Sequence, residues 1–365
     1  MLEERILKKT AIFIFLVSLA VCGTISYFPR LKTASEEFLT AVKEYQTKTK
    51  AEQLNMTGLE LMEYNNEQAK EEAEDALSFS GQIRLQLPLG VEEKDLTVTE
   101  NYVTRTVDIR IPYAGEDYLY EYPILGSDKY IESLTYDYDN NYGVVQLITE
   151  KVVELNSSCD GDYFYLDFLT PQELYDKVVV IDAGHGGDDP GTKKQGICEK
   201  DINLDILIEL KELFDTANDA SVGVYYTRTT DQNPTLESRM ELADKSDADL
   251  FVSIQNNATK SGKMSSINGT QVIYDDLRAK EEPRAKDWAQ ICLEEVTAVT
   301  GSSNKGLVAG SGEEIVGSSK APAAWIEVGF ITNQTELDLL RSKEYQNKAA
   351  QGIYNAIMRA FAEGY

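Results

Sequence analysis

Histidine is almost missing from this chain. Its 365 residues include one, His185, so no second imidazole is available to any site. Four cysteines are scattered: Cys22 lies in an apolar run near the N-terminus, and Cys159, Cys198 and Cys292 stand far apart with no Cys-x-x-Cys pair. That spacing excludes both a disulfide framework and a cysteine zinc knuckle. Basic residues are short as well, with 35 Lys and Arg against 62 Asp and Glu, a net charge of −27. A protein that neutralises phosphates needs clustered Lys and Arg, so nucleic acid and an anionic membrane surface are excluded as partners. No Gly-x-Ser-x-Gly surrounds any serine, which leaves a Ser-His-Asp hydrolase without its nucleophile signal.

What is present begins with length. At 42% hydrophobic and 27% charged, the chain can build two cores and a linker. Residues 11–28 form an almost uninterrupted apolar run (AIFIFLVSLAVCGTISYF) preceded by Arg5, Lys8 and Lys9. At about 1.5 Å rise per residue the run is just long enough to cross a bilayer, and its basic flank favours a cytoplasmic N-terminus. No small-x-small cleavage site follows, so residues 1–32 read as a single-pass membrane anchor, with a cleaved signal as the alternative. Either way the bulk of the chain is expected outside the cytoplasm. Residues 33–77 are polar with helical spacing and read as a stalk or linker. Over 78–172 the period changes to two, in IRLQL (83–87), VTRTVDIRI (103–111), VVQLI (144–148) and YFYLDF (163–168), which predicts a small all-β domain. Its tyrosines, Tyr118, Tyr120, Tyr122, Tyr136, Tyr138 and Tyr142, either stack on sugar rings or simply fill β positions that they favour.

From 176 to 365 strands and helices alternate. Strands read at 178–182, 222–227, 250–254, 269–274 and 323–328, and helices at 200–216, 235–245, 283–299 and 342–362. Such a pattern predicts an α/β domain, a mixed, largely parallel sheet with helices on both faces. The stretch VVVIDAGHGGDDPG (178–191) is its centre: a buried strand of β-branched residues breaks into a glycine-rich loop that carries His185. A nucleotide is excluded there. A dinucleotide fingerprint needs glycine where Asp189 stands, no Gly-Lys-Ser/Thr follows, and Asp188 and Asp189 would repel phosphate. In open α/β sheets sites lie beyond the carboxyl ends of the strands, where His185, Gln255 and Glu327 all fall. Three loops, 259–267, 277–282 and 310–319, are candidates to border such a cleft.

Six segments then stand in a telling order: IDAGHGG (181–187), GICEKDINL (196–204), YTR (226–228), LESR (236–239), ADLFVSI (248–254) and EVGFITN (327–333). Together they resemble the zinc-dependent N-acetylmuramoyl-L-alanine amidases of the Amidase_3 type, from about residue 177 to the C-terminus. More loosely, the β domain resembles the AMIN-type modules that accompany such amidases. The resemblance implies a peptidoglycan substrate, a location on the cell-wall side of the membrane, and one zinc ion held by His185 and Glu199. It also implies Glu327 as the catalytic carboxylate. Three protein ligands and a water are what a catalytic zinc needs, and a glutamate beside it can take and return the proton. One departure is large. The family's third ligand is a histidine directly after LFVSI, and here that position is Gln255, followed by Asn256 and Asn257. An amide oxygen is a weaker zinc ligand than imidazole. Two expectations follow: a working amidase with Gln255 completing the metal site, or a catalytically impaired pseudo-amidase that binds cell wall or regulates another hydrolase.

Overall fold

The computed structural model of the chain describes residues 39–43, 53, 55–281, 284–310, 313–317 and 319–365. The apolar run 11–28, with the anchor expected of it, lies outside these residues. Among the described residues no helix is long and apolar enough to cross a membrane.

Helix α1 (Gly58–Glu72) opens the first module. Thr57 opens it with a capping box: its hydroxyl accepts from Glu60 N at 3.3 Å, and the Glu60 carboxylate returns to Thr57 N at 2.7 Å. Leu61 and Met62 are buried in the core of the β module, and Asn66 brackets Gly126 with hydrogen bonds of 2.6 and 3.0 Å. The sequence placed this stretch in a solvated stalk. It is instead an integral layer of the module, which is therefore not all-β, because two leucine-sized side chains and two asparagines suffice to dock an otherwise polar helix.

Eight strands complete the module: β1 (Ile83–Gln86), β2 (Thr97–Asn101), β3 (Thr106–Pro112), β4 (Leu125–Gly126), β5 (Ile131–Asp139), β6 (Tyr142–Thr149), β7 (Glu154–Asp160) and β8 (Tyr163–Leu169). They form two four-stranded antiparallel sheets, ordered β4-β1-β8-β7 and β2-β3-β6-β5. The alternation read from the sequence delivers Ile83, Leu85, Ile109, Ile111, Val145, Leu147, Phe164, Leu166 and Phe168 to one core. Three of the tyrosines belong there too: Tyr118 is fully buried and stacks on Tyr122 and Tyr136, with ring centroids 5.3 and 5.6 Å apart. Those three fill the interior or its edge, so they do not form a sugar-binding platform. Tyr138 and Tyr142 remain exposed.

The second domain holds a six-stranded sheet. Its strands are β9 (Lys177–Ala183), β10 (Val222–Tyr226), β11 (Leu250–Asn257), β12 (Thr270–Tyr274), β13 (Asn304–Ala309) and β14 (Ala323–Phe330), in the order β10-β9-β11-β14-β12-β13. Every pairing is parallel except β12 with β14. Helices α2 (Glu199–Ala217), α4 (Arg284–Thr300) and α6 (Lys343–Ala362) cover one face and α3 (Leu236–Lys245) the other; α5 (Gln334–Leu340) follows β14. The run at 178–181 is apolar throughout because both faces are covered. Val179, Ile181 and Ala183 face the three long helices, while Val178 and Val180 face the side of α3. Strand β13 escaped the sequence reading, since this edge strand begins Asn-Lys-Gly and is only partly buried.

The two domains share a seam along α3 and edge strand β10. Val152 donates its N–H to Lys245 O at 2.9 Å and packs into the core beside Tyr225 and Met240. Glu154 accepts the hydroxyls of Tyr175 at 2.9 Å and Tyr225 at 2.6 Å, and Arg105 pairs with Glu241 at 2.9 Å.

Candidate active site

Strand β9 ends at Ala183, and two residues later His185 sits at φ +61°, in the left-handed region. Its ring lies between two carboxylates. Nδ1 is 2.8 Å from Asp189 Oδ2, and Nε2 is 3.5 Å from Glu199 Oε2. Burial pulls the imidazole pKa down, but hydrogen bonds and charge from Glu199 and then Asp189 outweigh it and lift it to about 9. Glu199 is the first residue of α2 and is almost wholly buried. Its two oxygens are pinned by backbone: Oε2 accepts from Thr192 N at 2.9 Å and Oε1 from Asn256 N at 2.8 Å. Gly191, at φ +60°, lets the loop close over both groups, since a Cβ there would stand 2.8 Å from His185 Nε2.

Gln255 reaches the same place from β11. Its amide lies flat against Gly184, where a Cβ would fall within about 2 Å of the amide nitrogen, so glycine is what admits it. The Gln255 Nε2 donates to Ser253 Oγ at 3.1 Å, and Ser253 in turn donates to buried Asp182 at 2.6 Å. That chain anchors the nitrogen and leaves Oε1 as the end of the amide available to the cleft. Glu327, on β14, is in register with Gln255 on one side and Gln271 on the other. Burial raises its pKa to about 7; the Gln271 side chain works against this, and the charges of Glu199 and Glu313 add to it. Asn257 donates its side-chain amide to Glu327 Oε2.

His185 and Gln255 border a cleft of about 380 Å³ whose wall also includes Asp189, Arg239, Glu313 and Trp325. Of the three loops read as possible rims, the one at 310–319 reaches it, through Glu313 and Ile315. The four residues picked from the sequence come from the loop after β9, the start of α2 and facing positions of β11 and β14; Gln255 and Glu327 lie within their strands rather than beyond the ends. The sequence reading missed three partners. Asp189 and Asn257 had a signal: the first lies four residues beyond His185 in a tight glycine loop, and the second shares a strand face with Gln255. Gln271 had none, because only the antiparallel pairing of β12 brings it to Glu327.

Comparison with known proteins follows this geometry. A family profile described as N-acetylmuramoyl-L-alanine amidase, Amidase_3, matches residues 179–359. The germination-specific N-acetylmuramoyl-L-alanine amidase of Bacillus subtilis (strain 168) is 31% identical over 204 residues, covering 52% of this chain and 82% of that protein. The chain belongs to the Amidase_3 family. The uncharacterized protein YqiI of the same organism is 36% identical over 181 residues, covering 50% of this chain and 83% of that protein. Among solved structures, an N-acetylmuramoyl-L-alanine amidase from Clostridium difficile 630 is similar with a TM-score of 0.48 and 31% identity, covering 52% of this chain and 98% of that one. The Amidase_3 match takes in the six-stranded sheet and its helices from β9 into α6, and with them His185, Glu199, Gln255 and Glu327. The β module lies outside it.

Proposed function

We propose that this chain is a peptidoglycan amidase, hydrolysing the amide between the lactyl group of N-acetylmuramic acid and L-alanine. Family membership supports the reaction class. The observation that carries the site is Glu327, a buried carboxylate poised near neutrality, beside Gln255 and within the field of the His185–Glu199 pair.

A single zinc ion fits part of this donor set. In a tetrahedral site with bonds of about 2.0–2.1 Å, neighbouring donors stand roughly 3.4 Å apart; His185 Nε2 and Glu199 Oε2 stand at 3.5 Å. The Asp189 contact to Nδ1 is the kind of support that metal-bound imidazoles usually have. The third donor would be Gln255 Oε1, and among the described residues no group of three His, Cys, Asp or Glu could hold an ion. The site thus suits a divalent cation held less tightly than a third imidazole would hold it. When bound, such an ion lowers the pKa of a water and polarises the scissile carbonyl. Glu327 is the group we assign to take the proton of the attacking water and return it to the departing amine. The C–N bond breaks, and the products are a lactyl carboxylate and a free L-alanine amino group. We also propose that the run 11–28 holds the chain at the cell membrane, with both domains on the cell-wall side.

The test is to incubate the full-length chain with purified sacculi over a range of zinc concentrations and measure new L-alanine amino groups. Release that disappears on Glu327→Gln is expected. Binding of sacculi with no release at any zinc concentration would sink the amidase reading in favour of a catalytically silent cell-wall binder, the one alternative that Gln255 motivates.

A further inference from the structure

We infer that Arg228 is a positioning residue that sets the distance between His185 and Glu199, an inference that rests on the amidase reading of this site. Arg228 lies two residues beyond β10 and is 2% exposed. Its guanidinium makes four hydrogen bonds, all to carbonyl oxygens: Nε to Ala183 at 2.8 Å, Nη1 to Thr230 at 3.2 Å, and Nη2 to both Gly184 at 3.0 Å and Lys200 at 2.9 Å. The last two decide its role. Gly184 is the residue before His185 and Lys200 the residue after Glu199, so one nitrogen ties the two ligand-bearing segments together. Asn203, on the second turn of α2, adds a parallel tie to Gly184 O at 3.1 Å.

The segments need such a tie. His185 is held at φ +61°, in the left-handed region that non-glycine residues adopt only at a cost. It is also flanked by Gly184, Gly186 and Gly187, which leave the loop little stiffness of its own. The other buried guanidinium at the site has a different job. Arg239 binds Asp182, Ala183 O at 2.8 Å and His185 O at 2.8 Å, and through Nε Pro234 O at 3.1 Å, so it ties the β9 segment to the start of α3 and makes no bond to α2. Arg228, by contrast, pairs with no carboxylate among the described residues, and burial lowers its pKa. A buried cation whose hydrogen bonds all go to neutral carbonyls is costly to keep, even with the charges of Asp182 and Asp231 nearby. What it contributes in return is a planar fork that can bridge several carbonyls at fixed spacing, which a lysine ammonium at the same depth cannot reproduce.

The experiment uses the full-length chain, with Co²⁺ as the probe ion and selectively labelled histidine. Because His185 is the only histidine, its imidazole gives one set of NMR signals without assignment. Two variants are compared with the native protein. Arg228→Lys keeps the charge and loses the bridge; Arg228→Met keeps the volume and orphans no carboxylate, so it is expected to fold. The expected result is that both keep a cooperative melt, bind Co²⁺ at least about 10-fold more weakly, show altered visible absorption of the cobalt, and shift the imidazole signals even without metal. Native-like affinity and imidazole signals in Arg228→Lys would mean that the charge suffices, and would overturn the inference. Unfolding of both variants would assign Arg228 to stability alone, with the same consequence. If the native protein takes up no Co²⁺ or Zn²⁺, the metal reading fails, and the imidazole signals of the metal-free proteins decide the inference: unchanged signals in both variants overturn it.

Discussion

Gln255 is the residue that most directly tests the proposed metal site. Replacing it with histidine restores an imidazole where Gly184 leaves room against the strand end. Gln255→His is expected to raise zinc affinity by about 10- to 100-fold, read by competition with a chromogenic chelator; unchanged affinity would place position 255 away from the ion. Glu327→Gln is expected to lower the release of L-alanine by about 10²- to 10⁴-fold, the usual worth of a positioned acid–base group, while leaving zinc affinity close to native. It also makes a stability prediction with a definite sign. The folded-state pKa of Glu327 is raised from 4.5 to about 7, so the fold is penalised only when this carboxylate is ionised. In metal-free protein the penalty is absent below about pH 4.5 and complete above about pH 7. Glu327→Gln should therefore raise Tm at pH 8 and leave it unchanged at pH 4, as thermal melts at the two pH values would show. His185, Glu199 and Glu327 were legible in the sequence because each sits in a short motif. Arg228 and Arg239 were visible only as motif members, since their work is done on backbone carbonyls that no pattern of side chains announces.

At the scale of elements, α1 is the informative case. Its sequence reads as polar and charged, yet Leu61 and Met62 are each only 2% exposed. Leu61→Ala is expected to cost the β module about 2–5 kcal/mol, the range for a buried leucine; a urea titration that left the midpoint unmoved would return this helix to the role of a free stalk. The long helices and the doubly buried strands of the second domain declared themselves through period and length. Edge strand β13 did not, because one solvated side removes the pressure for apolar residues.

For the whole molecule, the seam makes the two domains continuous along α3 and β10. Glu154 is its polar centre, and Tyr225 beneath it is 2% exposed. Glu154→Ala strands that buried hydroxyl and is expected to cost about 1–3 kcal/mol in chemical denaturation, with amidase activity under native conditions kept because neither Glu154 nor Tyr225 lines the cleft. A loss of activity without a loss of stability would show instead that the β module acts on the site through this contact.

The sequence by itself determined the α/β domain, because local period encodes what each segment must bury or expose, and its short motifs singled out His185, Glu199 and Glu327 as the candidates through their family resemblance. Tertiary structure alone decided which groups support that set. The two buried arginines, the Gln271 partner across β12, the amide of Gln255 lying against Gly184, and the docking of α1 all join residues remote in the chain, and such pairings are fixed by strand register and close packing rather than by any local pattern.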